Sequence, residues 1–90
     1  MRIVGKTHVD VEAVSKDTRV HVKRVYPFGA ATFIVYRLPD EKVLAAGECP
    51  ALSAHPQYAE FRIASNTEYR IQSLDNDIDA QQFNIGTPPQ

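Results

Sequence analysis

The sequence predicts an all-β domain: a small antiparallel barrel or sandwich of five to six strands with an extended C-terminal arm. Three observations predict it. Apolar and polar residues alternate with a period of two in Val9-Val11-Ala13, Val20-Val22, Ile34-Tyr36-Leu38, Ala59-Phe61-Ile63 and Tyr69-Ile71, as they do in strands with one buried and one wet face. Short clusters of turn-forming residues separate these runs. From Asp75 onward the apolar content drops, leaving Ile78, Phe83 and Ile85 spaced through polar residues ahead of Thr87-Pro88-Pro89-Gln90. Composition of that kind reads as an arm, so the expected division is an antiparallel β domain over residues 1–74 and an arm over residues 75–90.

Taken in order, the first hairpin turns at Lys16-Asp17. Opposing residues that sum to 33 set Val11 against Val22 and Ala13 against Val20 on an apolar face. The same register sets Glu12 against His21 and Asp10 against Lys23 on the other face, so packing and charge favour one alignment. Tyr26-Pro27-Phe28-Gly29 is a turn with two aromatic residues. Residues 31–38 are almost continuously apolar, which predicts a central strand covered on both faces. Residues 42–47 return as its antiparallel partner. The rival is a short helix over residues 41–46, capped by Asp40 and stopped by Gly47, but under two turns it is a poor structural unit. Residues 47–57, with Pro50 and Pro56, read as a loop. A third hairpin turns at Ser65-Asn66-Thr67, with opposing residues summing to 132: Ile63 meets Tyr69, Phe61 meets Ile71 and Arg62 meets Arg70. A helix opening at Pro56 and running through Phe61 is the competing reading there.

Composition narrows the function. Ninety residues make one domain with a thin core. Ten basic residues against eleven acidic ones give a net charge of -1, so no overall field draws the chain to nucleic acid or an anionic membrane. The single cysteine, Cys49, forms no intrachain disulfide, and with no apolar leader or spanning segment the expectation is a soluble protein, cytoplasmic at synthesis.

No motif carries chemistry. Gly5-Lys6-Thr7 lacks the upstream glycine of a phosphate loop. Asp75, Asp77 and Asp79 alternate like the opening of a calcium loop, but Ala80 and Gly86 stand where that loop needs glycine and glutamate. His8, Asp10, Glu12 and His21 share a face in the first-hairpin register, yet positions i and i+4 of a strand lie ~13 Å apart and do not share a metal. Cys49 with His55 is the one nucleophile pairing for a small thiol enzyme. A basic-aromatic set, Arg19, Lys23, Arg24 and Arg37 with Tyr26, Phe28 and Tyr36, is offset by Asp10, Glu12 and Asp17 in the same region.

The expected function is therefore binding rather than catalysis, with no cofactor and no metal. The chain reads as a protein-binding or structural subunit that self-associates or docks through a strand edge and its C-terminal arm. Symmetric assemblies such as viral capsids or tails, with incorporation into a virion, are the analogy. Arm residues Ile78, Phe83 and Ile85 would contact the neighbour. The facing Arg62 and Arg70 suit a partner carboxylate or phosphate. The alternative is a stand-alone inhibitor or adaptor that grips one target, such as a host enzyme, through Tyr26, Phe28, Arg62 and Arg70.

Overall fold

The computed structural model describes residues 1–25, 31–49 and 58–84. Eight strands form there: β1 (Arg2–Ile3), β2 (His8–Val11), β3 (Thr18–Arg24), β4 (Ala31–Leu38), β5 (Lys42–Cys49), β6 (Ala59–Ile63), β7 (Glu68–Ser73) and β8 (Ile78–Asn84). The all-β class holds, with eight strands in place of five to six. They build two four-stranded antiparallel sheets, in the orders β1-β8-β3-β6 and β2-β7-β4-β5. The sheets face each other, and no closed barrel forms among the described residues.

Alternation along each strand decides which side chains lie between the sheets. Val20 and Val22 of β3, Phe61 and Ile63 of β6, and Ile78 and Ala80 of β8 point inward from the first sheet. Phe33 and Val35 of β4 and Tyr69 and Ile71 of β7 meet them from the second. Phe61 sits tilted against Phe33 and edge-on to Tyr69, with ring centroids 6.0 and 6.1 Å apart, as aromatic quadrupoles prefer.

The partners differ from those expected at two of three hairpins. β2 pairs with β7, whereas β3 pairs with β6 and β8, so residues 12–17 cross from one sheet to the other. The turn at residues 64–67 is also a crossing, because β6 and β7 lie in different sheets. The β4–β5 hairpin forms as expected, with an irregularity at Val35/Tyr36 that leaves Leu44 as the extra residue on β5. β5 and β6 are strands and not helices. β4 is central in its sheet, but only one face is covered: Ile34, Tyr36 and Leu38 alternate with the core residues and stay half-buried on the outer face.

The segment read as an arm is, over Ile78–Asn84, a strand inserted between β1 and β3. Its inward face carries Ile78, fully buried, Ala80 and Gln82. Gln82 itself is exposed at the sheet edge, and its Nε2 donates to the buried Tyr69 hydroxyl. The turn leading into β8 is tied down on both sides. Asp75 accepts from the Thr32 N–H (2.8 Å) and hydroxyl (2.9 Å). Asp77 accepts from the Gly5 N–H (2.7 Å) and the Arg2 guanidinium (2.8 Å).

Candidate docking surface

Because β8 is central and β1 is short, one corner of the sandwich is unfinished. β1 reaches along β8 only to the level of Met1, whose amine donates to the Ala80 carbonyl (2.9 Å) while the Ala80 N–H donates back to the Met1 carbonyl (2.8 Å). Backbone groups alternate sides along a strand. Ala80 faces β1, and Asp77 bonds toward β3 through the Val25 N–H. Gln82 and Asn84 therefore turn their N–H and C=O groups to the open side, where no strand pairs with them among the described residues. Beneath that open half runs the end of β2 and its continuation. Two adjoining depressions result. One is lined by Met1, Ala80, Gln81 and Phe83; the other is lined by Glu12, Ala13, Val14, Ser15, Lys16 and Thr18. They meet at Val11 and Gln82.

Among the described residues, the edges formed by β2, β6 and β5 are guarded. The same alternation turns the backbone of His8 and Asp10 outward on β2, of Glu60 and Arg62 on β6, and of Ala46 and Glu48 on β5. β5 adds Lys42 and its irregularity at Leu44. Charges and bulges on an edge discourage pairing. β8 presents two uncharged amide residues with neither device.

The outer face of the first sheet holds a second feature. His21 stacks on Tyr58 (centroids 4.2 Å apart, 20° between planes) and lies against Phe83 (4.7 Å, 49°). Tyr58 and Phe83 are about half exposed. The Oε1 of Glu60 lies 2.9 Å from the Arg19 Nε, an ion-pair distance but out of line for a hydrogen bond. Its Oε2 lies 3.9 Å from the His21 Nε2, which is inaccessible and has no hydrogen-bond partner.

Few of the residues singled out from sequence come together. Arg62 and Arg70 lie in different sheets, Arg62 opposite Arg19 and Arg70 opposite Asp10 and Tyr36. Arg70 is engaged: Nε and Nη2 bond the two Asp10 oxygens (2.7 and 3.2 Å), and Nη1 bonds Glu41 (3.3 Å). The bond from Arg70 holds the Asp10 carboxyl below its ordinary range. Ile78 is core and reaches no partner, whereas Phe83 is at the surface. Tyr26, Phe28 and Ile85 lie outside the described residues, as does His55. Cys49 is buried, and its thiol donates to the Val22 carbonyl (3.2 Å); burial pushes the thiol upward. Asp75, Asp77 and Asp79 bind Thr32, Gly5 with Arg2, and the Met1 amine respectively, and do not converge. His8 and His21 stand in separate sheets. Among the described residues no three His, Cys, Asp or Glu side chains group closely enough to share a metal ion. No described helix is long and apolar enough to cross a membrane.

Sequence reading passed over Gln82, Met1 and Tyr58. The one available signal was the run Ile78-Asp79-Ala80-Gln81-Gln82-Phe83, whose alternation is weak because only Ile78 is a large apolar residue on its inward face. Compared with models of known families, with curated proteins and with solved structures, the chain finds no match.

Proposed function

We propose that this protein is a binding subunit rather than a catalyst, and that it docks by accepting an extended polypeptide segment along the open half of β8. One observation carries the reading: β8 has outward-facing backbone groups at Gln82 and Asn84, with no strand paired to them among the described residues, above a groove. An unpaired edge is a template for strand addition. Each added backbone hydrogen bond contributes about 0.5–1.5 kcal/mol net. A contact this short is weak alone and becomes firm where several act together, which suits a structural subunit of a larger assembly.

Amide hydrogen exchange read by NMR tests it. In the free chain the Gln82 and Asn84 amides exchange fast, while Gln81 and Phe83, bonded toward β3, are protected. In a complex or self-associated state, identified by light scattering, protection extends to Gln82 and Asn84. An assembled state in which both still exchange freely refutes the reading. A second reading, an inhibitor or adaptor for one target, draws on the half-exposed Tyr58 and Phe83 beside the exposed Arg62. In that case Tyr58→Ala and Arg62→Ala weaken a one-to-one complex without altering exchange at β8.

A further inference from the structure

We propose, independently of strand addition at β8, that the outer face of the first sheet is a platform for single-stranded nucleic acid. Bases stack on Tyr58 and Phe83, and Lys23 and Arg62 hold phosphates. Tyr58, His21 and Phe83 form a diagonal of rings from the start of β6 across β3 to β8, with His21 in contact with both of the others. Tyr58 and Phe83 are each about half exposed, so both show ring surface to solvent. Contact with His21 sets the two rings in advance, which lowers the ordering cost of binding.

Cations stand at both ends of the diagonal. One step beyond the Val22–Ala59 pair, Lys23 comes level with Tyr58. At the other end Arg19 pairs with Phe83 on one side and Arg62 on the other. Arginines directly opposite one another repel. Glu60 takes up Arg19 (2.9 Å), whereas Lys23 and Arg62 are exposed and form no ion pair among the described residues. Asp79, opposite Lys23 on β8, is not in ion-pair contact with it. The acids that offset Arg19 and Lys23 along the sequence are elsewhere in space. Asp10 is on β2 in the other sheet, bonded to Arg70. Glu12 and Asp17 lie in the crossing between the sheets, where Asp17 accepts from the Ser65 N–H (2.9 Å). Exposed charges are screened beyond about 10 Å, so the local surplus, and not the net charge of -1, decides what this face attracts. Cations that follow a phosphate backbone, with rings that take bases of any sequence, suit an unpaired strand. A duplex hides its base faces, and an acidic protein would use the cations but leave the rings idle.

Titration of the full chain with a short oligothymidylate, read by fluorescence anisotropy and NMR, tests this. Binding shifts the signals of Tyr58, His21, Phe83, Lys23 and Arg62, and log Kd rises with log salt at a slope of about 1.4, roughly 0.7 for each of two phosphates. Tyr58→Ala weakens binding roughly five- to a hundredfold. Tyr58→Phe retains it, while Tyr58→Leu, apolar without a ring, does not; a native NMR spectrum shows that each variant is folded. Arg62→Ala lowers the slope to about 0.7. No shift at these residues in low salt overturns the proposal and leaves strand addition standing, since that is read at the Gln82 and Asn84 amides. Equal affinity for the same strand in a duplex overturns it too. An oligoglutamate that binds as tightly at the same residues shows charge acting alone and overturns the stacking platform.

Discussion

Replacing Ile78 by alanine separates an integral strand from an appended arm. Ile78 is fully buried, on a strand paired on both sides. The substitution removes three carbons, at about 0.8 kcal/mol each, and leaves a cavity that a sheet held by two neighbours collapses poorly. The expected loss is about 3–4 kcal/mol, within the ~2–5 kcal/mol usual for such truncations. In a domain of this size that lowers Tm by roughly 15–25 °C. Phe83→Ala is the internal control. It lies on the same strand, but Phe83 is 44% exposed, so its loss is about 1 kcal/mol or less. Urea denaturation and calorimetry on both variants decide the matter. If Ile78→Ala costs no more than Phe83→Ala, then β8 is not part of the core and the docking argument falls with it.

Four further outcomes follow from the same contacts. A Cβ on Gly5 would sit 2.2 Å from the backbone carbonyl oxygen of Asp75, so Gly5→Ala costs about 1–3 kcal/mol in urea denaturation. Gln82→Leu leaves the buried Tyr69 hydroxyl unpaired, at about 1–3 kcal/mol, and Tyr69→Phe in that background restores most of it in a double-mutant cycle. Asp10, Asp40, Asp75 and Asp77 are all held below the ordinary carboxylate value of 3.8. For Asp77 the leading cause is the Gly5 N–H, then Arg2. For Asp75, burial opposes ionisation and is outweighed by the bonds from Thr32 and Asn76. A depressed folded value stabilises above the unfolded pKa and is lost as pH falls through the folded one, so the contribution of these carboxylates is constant above about pH 5 and falls below pH 4. Asp77→Asn reduces that acid slope in pH-dependent denaturation. Finally, Cys49 reacts with iodoacetamide only once urea unfolds the chain; rapid labelling of the native protein refutes its burial.

The faces of β3, β6 and β7 were legible in the sequence because alternation is a local property, whereas in β4, apolar at nearly every position, the alternation picked Ile34, Tyr36 and Leu38 while Phe33 and Val35 face the core. Val20, Val22, Phe61, Ile63, Tyr69 and Ile71 were read as inward, and all are core. Neighbours were not legible, because an apolar face accepts any other apolar face. Val20 and Val22 match Val11 and Ala13 on paper, yet they pair with Phe61 and Ala59 on one side and Gln82 and Ala80 on the other. Only β4–β5 joins consecutive strands in one sheet. The tail misled for a different reason: its one inward glutamine bonds a tyrosine hydroxyl 13 residues earlier in the chain, a pairing that no window of composition contains. The open half of β8 was hidden by the same fact, since it lies where β8 runs past its pairing with β1.

Placing β8 between β1 and β3 also dictates when the molecule finishes folding. Until Ile78–Asn84 has left the ribosome, β1 has no ladder to join and β3 has a bare flank toward it. At about 5–20 residues per second, the stretch from β3 to β8 takes seconds to emerge, long against the microseconds of hairpin formation. The β4–β5 hairpin is the part free to form early, while the Val20–Val22 face waits half-covered. A nascent chain stalled short of residue 78 is thus a sticky intermediate, and the sandwich closes only once β8 has emerged to join β1 and β3.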